Sequence, residues 1–254
     1  MVLEAPANNF LKKKFFFILS NKFMSHQSYI LKQYFNKCQT FINIFSQFRQ
    51  YIIDYDYLAS RTLDINKMHK FFSQGYKLER EKYVFPEQNA CAVWYSNPKR
   101  VIPRVFLSSY QNPIYDVNLD KNMFKQVVNH LNNPNDKMSY YVYHHIQKQN
   151  KYLAWTLLFQ NNINTVALRV NNAEEFLYLL DKNNYSIHDH HNPIQTTVDK
   201  KIIQFATESD KVNYEFSSGT YEIPYAFVTI IERKIDPKTG LIREGFCNIE
   251  KTRK

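Results

Sequence analysis

A chain of 254 residues with 44% apolar content is long enough to bury a substantial core and too apolar to be disordered. Its net charge of +10 is uneven. Residues 1–50 hold seven Lys/Arg (Lys12, Lys13, Lys14, Lys22, Lys32, Lys37, Arg49) against Glu4 alone, and the other 204 residues carry only +4. This excludes a uniformly basic nucleic-acid-binding body and points to a basic arm that targets the chain, touches a membrane surface or docks on an acidic partner.

Three widely spaced cysteines, Cys38, Cys91 and Cys247, form no CxxC. Neither a disulfide framework nor a thiolate zinc site is indicated, and a reducing interior or organelle is the simple expectation. The longest apolar run of the leader, Phe15 to Leu19, is too short to span a bilayer. No transmembrane segment is expected, which leaves room for peripheral membrane contact. The acid-poor leader favours a mitochondrial location, with the cytoplasm as the alternative.

In chain order, residues 1–40 read as a basic arm or leader, 41–250 as one domain and 251–254 as a basic tail. Phe41, Ile44, Phe45, Phe48, Tyr51, Ile52 and Tyr55 recur at three- and four-residue spacing and predict an amphipathic helix. Module one, residues 56–110, opens with a strand over Tyr57–Thr62. Asp64 then stands as N-cap of a helix with face Ile65, Met68 and Phe72, stopped at Gly75. Strands near 77–85, 90–96 and 104–110 follow, with turns at Pro86 and Asn97-Pro98.

A helical connection over 118–160 predicts helices at Lys121–Leu131 and Ala154–Phe159, joined by the polar stretch Asn132–Lys137. Module two, 163–233, repeats the plan. A strand at Thr165–Arg169 leads to Asn172 as N-cap, a helix face of Ala173, Phe176, Leu177 and Leu180, and a stop at Asn183. Strands near Ser186, Ile202–Thr207 and Ala226–Arg233 complete it. From strand residue to N-cap is seven positions in both modules (57 to 64, 165 to 172), and to the helix stop eighteen (57 to 75, 165 to 183). This shared register predicts a duplicated βαβββ module. The fold class is therefore α+β, with two modules pairing into a curved, barrel-like mixed sheet that has helices outside, as in vicinal-oxygen-chelate proteins.

An ordered series of local matches runs through this framework. It includes Ala59-Ser60-Arg61-Thr62, Tyr83-Val84-Phe85-Pro86, Trp94-Tyr95-Ser96 and Pro103-Arg104-Val105-Phe106-Leu107-Ser108. Further on come Ala154-Trp155-Thr156-Leu157, Asn164, Gln204-Phe205-Ala206-Thr207, Ile223-Pro224, Glu232-Arg233 and Gly245-Phe246. In this order over residues 40–250, the chain resembles the 2-oxoadipate dioxygenase/decarboxylase (hydroxyglutarate synthase) family. The resemblance implies conversion of 2-oxoadipate to 2-hydroxyglutarate in lysine breakdown, by dioxygen and a non-haem Fe(II) held by two histidines and a glutamate.

Those three ligand positions correspond here to Tyr57, Thr165 and Thr229. Ser108 stands at the symmetry-related fourth position. Asp56 and Glu232 have the wrong strand parity to substitute. No iron or other cofactor is therefore expected, and no catalytic residue. The resemblance also makes Arg61 a candidate to grip a small oxoacid by its carboxylate; pairing with a nearby acid or carbonyl is the alternative.

Two histidine clusters, His188-Asp189-His190-His191 and His144-His145, are weighed as metal sites. The first reads better as a solvated turn before Pro193. The 20 Phe and 19 Tyr fall mostly at core spacing, which favours packing over stacking platforms for nucleic acid. The functional expectation is a catalytically degenerate homologue serving as an accessory or structural subunit with protein partners and no nucleic acid. The alternative is an active oxoacid-binding or 2-oxoadipate-converting enzyme with an atypical site.

Overall fold

The computed structural model of the protein describes residues 32–66, 76–85, 90–96, 103–110, 117–189, 191–235 and 242. The arm over 1–31, most of the first module's helix (Met68, Phe72 and Gly75), the turns at Pro86 and Asn97-Pro98, His190, Gly245-Phe246, Cys247 and the tail lie outside them.

The first described elements correct the expected long helix. Helix α1 (Gln39–Gln47) is followed by a 3-10 turn at Arg49–Tyr51, and Ile52 already begins strand β1 (Ile52–Thr62). The helical spacing of Phe41, Ile44, Phe45 and Phe48 is real. Tyr51, Ile52 and Tyr55 continue it only by coincidence, because a run rich in Ile and Tyr fits a pleated strand. Module one proceeds through β2 (Lys77–Phe85), β3 (Ala90–Ser96) and β4 (Arg104–Tyr110).

The connection contains three helices: α2 (Lys121–Asn132), α3 (Tyr140–Gln149) and α4 (Lys151–Phe159). Helix α3 was not expected from the apolar period. Its start is fixed by Ser139, whose hydroxyl accepts from the Val142 amide, and α4 is capped likewise by Asn150. Module two comprises β5 (Ile163–Val170), α5 (Ala173–Lys182), β6 (Gln195–Thr196), β7 (Ile202–Ala206), β8 (Asp210–Phe216) and β9 (Gly219–Arg233). The strand expected near Ser186 is only an isolated bridge between Ile187 and Thr207. The β8–β9 hairpin is an addition to the expected plan. As expected, Asn172 caps α5 by accepting from the Glu175 amide, and the Asp64 carboxylate accepts from the Asn66 amide.

The strands run in the order β2-β3-β4-β1-β5-β9-β7-β6, with β8 on the outer half of β9. In module one, β1 is parallel to β4, which continues antiparallel to β3 and β2. In module two, β5 is parallel to β9, which continues antiparallel to β7 and β6. The duplication thus appears as two matching half-sheets joined by one antiparallel seam, β1 against β5. The result is an open, curved, mixed sheet.

Alternation along the strands separates outward-facing clusters, one of them built on Val93, Tyr95, Val105 and Leu107 of module one, from an inner one. Leu58, Val166, Leu168, Val228, Ile230 and Phe205 face outward under α1–α5 in the main hydrophobic core. Tyr57, Ala59, Trp94, Ala167, Ile202 and Ile231 face the other way and form a separate inner cluster.

Candidate functional site

The inner face is where a vicinal-oxygen-chelate sheet would present its chemistry, and Tyr57, Thr165 and Thr229, the positions that the resemblance assigns to ligands, lie on it. Tyr57 pairs with Ala167, which pairs with Thr229 on the next strand, while Thr165 lies opposite Ala59 and Phe227. All three are buried.

Each is committed to the protein itself. The Tyr57 ring meets Trp94 edge to face at 5.6 Å, and Trp94 lies 5.0 Å from Phe106. The Thr165 and Thr229 hydroxyls hydrogen-bond each other at 3.1 Å. Ser108 faces Arg61 across β1–β4, and its hydroxyl makes a long contact of 3.4 Å to the Ser60 carbonyl oxygen.

The hydroxyl pair yields a directional expectation. Thr165→Val alone strands the Thr229 hydroxyl and should cost about 1–3 kcal/mol, whereas Thr165→Val with Thr229→Val should be close to neutral. Thermal or urea unfolding of the three proteins measures the difference.

The parity expected of Asp56 is overturned. The β1–β5 register shifts between Tyr55 and Tyr57, leaving Asp56 as a bulge that reaches the inner-face arginines. Its carboxylate accepts from Arg233 Nε at 2.6 Å and Nη2 at 2.7 Å, and from Arg104 Nη2 at 3.0 Å. Burial opposes ionisation of Asp56, but the two guanidinium groups outweigh it and hold the carboxyl below its usual range. Arg104 also lies over the Trp94 ring at 4.9 Å, which joins this ion cluster to the aromatic one.

Glu232 does face away from the inner face. Its carboxylate accepts from the Ala173 amide at 2.9 Å and so caps α5. The Glu232-Arg233 pair therefore has two separate jobs, a helix cap and a bond across the modules. The sequence offered one overlooked signal for the second: charged residues at both ends of otherwise apolar strands.

Arg61 sits at the far rim. Its guanidinium lies 4.3 Å from the Tyr152 ring centre and 5.6 Å from that of Trp155, both on α4. Burial lowers its pKa, while the phenols of Tyr110 and Tyr152 act in the opposite sense. No carboxylate among the described residues pairs with it. Of the two sequence readings, pairing with a nearby acid thus has no support among these residues.

Among the described residues, which leave out His190, the histidine clusters assemble no metal site. His188 follows the 187–207 bridge in a turn and contacts Glu208 at 3.3 Å, both exposed. His144 stacks on Tyr140, and His145 contacts the Asn118 carbonyl at 2.7 Å. Among the described residues, no group of three His, Cys, Asp or Glu could hold a metal ion. Cys38 and Cys91 are buried free thiols. Also among these residues, no helix is long and apolar enough to cross a membrane.

Solved structures share this architecture. The hydroxyglutarate synthase of Oryza sativa, solved in complex with 2-oxoadipate, superposes with a TM-score of 0.75 at 20% identity, over 95% of this chain and 91% of that one. The chain has the hydroxyglutarate synthase fold. A candidate hydrolase from Shewanella frigidimarina gives a TM-score of 0.72 at 18% identity, over 85% of this chain and 94% of that chain. A candidate glyoxalase-superfamily protein from Ralstonia eutropha gives 0.63 at 12%, over 87% and 84% respectively. No family model matches the chain, and a search of curated proteins finds no match.

The residues at the three positions that the resemblance assigns to ligands do not fit Fe(II). Two threonine hydroxyls are weak neutral donors, and the only phenol among the three packs against Trp94. The nearest carboxylate in the sequence, Asp56, is held by two arginines.

Proposed function

We propose that the chain is a catalytically degenerate homologue of Fe(II)-dependent 2-oxoadipate dioxygenase, retained as a folded subunit of a protein assembly. One observation carries this reading. The positions that would hold iron are knitted into the sheet's own packing, with Thr165 bonded to Thr229 and Tyr57 against Trp94. Decay alone would leave gaps or orphaned polar groups at such positions. The basic arm then serves delivery to an organelle, with mitochondria favoured, or docking within the assembly.

A second reading rests on Arg61. A guanidinium flanked by rings and without a carboxylate partner among the described residues suits a small carboxylate ligand, such as the 2-oxoadipate held by the Oryza enzyme. It requires binding without oxygen chemistry.

Anaerobic purification with Fe(II) supplied, followed by elemental mass spectrometry and a 2-oxoadipate assay, tests both. The first reading expects iron far below one per chain and no turnover. Stoichiometric iron with oxoadipate-dependent oxygen uptake would refute it. Calorimetric titration with 2-oxoadipate that gives a signal in the wild type and none in Arg61→Ala would establish the second reading.

A further inference from the structure

The β8–β9 hairpin, which stands outside the duplicated plan, leaves one strand edge open. It turns at Ser217-Ser218, between the paired residues Phe216 and Gly219. Pro224 decides which main-chain groups of β8 face β9. Lys211 stands opposite Pro224, which has no N–H to give, so that pair cannot exchange hydrogen bonds. Alternation makes Asn213–Glu222 and Glu215–Thr220 pairs of the same kind, with Val212, Tyr214 and Phe216 bonding to β9. The amides and carbonyls of Lys211, Asn213 and Glu215 therefore point to the side of β8 away from β9. Among the described residues, no strand or loop bonds them there. The next amide of that series, Ser217, donates to the Met138 carbonyl at 3.1 Å. The α2–α3 connection thus closes the edge at the turn and leaves 211–215 open.

This stretch is its own complement. Laid antiparallel on a second copy about Asn213, it places Lys211 opposite Glu215, Val212 opposite Tyr214 and Asn213 opposite itself. Every outward main-chain group then falls in a hydrogen-bonding pair. Lys211, Asn213 and Glu215 are exposed on one face of the strand, while Val212 and Tyr214 pack against the main core on the other. Lys211 contacts Glu222 at 3.4 Å and Glu215 contacts Lys137 at 2.6 Å, both exposed pairs of the kind that contributes little, so a second copy can share them. Between Lys211 and Glu215 the edge has neither a proline nor a bulge, the devices that usually forbid such pairing, and its one lysine meets a glutamate.

We propose that β8 is the two-fold interface of a homodimer, in which the β8–β9 hairpins of two copies join edge to edge. An edge that meets its own complement in this register selects a second copy of the chain over an unrelated strand. One strand edge from each copy is a small contact, so association in the micromolar range is expected. Dimer formation does not depend on the loss of iron chemistry and holds for an active or an inactive chain.

Analytical ultracentrifugation of the full chain over about 1–300 μM should show reversible dimer formation. Asn213→Pro removes an amide that β9 does not use and should weaken the dimer about tenfold or more, with circular dichroism showing the fold intact. Lys211→Glu sets like charges opposite each other and should weaken it about tenfold as well. Adding Glu215→Lys to that variant should restore association, although the contacts with Glu222 and Lys137 stay broken, an outcome that a role within one chain does not produce. A chain that stays monomeric at about 300 μM overturns the proposal. So does a dimer that survives Asn213→Pro, or a double charge swap that restores nothing.

Discussion

Replacing Asp56 by alanine should destabilise the fold by about 3–5 kcal/mol, because it removes the buried carboxylate that Arg233 and Arg104 share. The Arg233 side chain is 1% exposed and that of Asp56 4%, so water can replace little of what is lost. Arg104 loses a partner in the same step, at 15% side-chain exposure. Asp56 and Arg104 belong to module one and Arg233 to module two, so the substitution also releases a bond across the seam. Urea unfolding at neutral pH gives the magnitude, and a loss below about 1 kcal/mol would mean that the cluster is screened as surface pairs are. Arg233→Met introduced together with Asp56→Ala should recover part of the loss, since the buried guanidinium that the carboxylate served is removed as well.

The same cluster predicts an acid limb. The folded-state pKa of Asp56 lies below the unfolded value of about 3.9, so its contribution is present above that pH and disappears as pH falls through the folded pKa. The gap between wild type and the alanine variant should narrow accordingly on acidification.

The second large effect is a gain. Tyr57→His, Thr165→His and Thr229→Glu together should create a metal site on the inner face of the sheet, taking up about one Co(II) or Fe(II) per chain. The backbone supports this, because Thr165 and Thr229 already lie with their hydroxyls 3.1 Å apart, and Tyr57 shares their face one strand beyond Ala167. Removing the phenol also opens space beside Trp94. Visible absorption of bound Co(II), absent from wild type and present in the triple variant, is the readout. No absorption in the triple variant would mean that the inner aromatic cluster, and not only the donor set, closes the site.

Features set by local chemistry were legible in the sequence. The equal spacing of strand and N-cap in the two modules reflects local capping chemistry, and it led to the duplicated architecture. Asn172 and Asp64 act as caps because short polar side chains satisfy amides within a few residues.

What escaped depends on contacts distant in sequence. Helix α1 ends because the chain at Ile52 joins Val170 in the seam, and no local breaker announces it. The Asp56 bulge changes the face of one residue, so strict alternation assigned that residue to the wrong side. The β8–β9 hairpin lies off the repeated plan and had no counterpart in module one to reveal it. Which residues stand at the positions the resemblance assigns to ligands was legible because those positions fall in short matched stretches. Their hydrogen bonding and packing were not, since Trp94 and Tyr57 are far apart in the chain.

The Arg233–Asp56 bond also changes what the folded protein depends on. An iron centre ties a fold to metal supply, to oxidation state and to competition from chelators. Here one bond between the modules is made from side chains encoded in the chain, complete as soon as both modules are synthesised. On the reading proposed above, the protein should accumulate equally in iron-starved and iron-replete cells and keep its unfolding temperature in chelator.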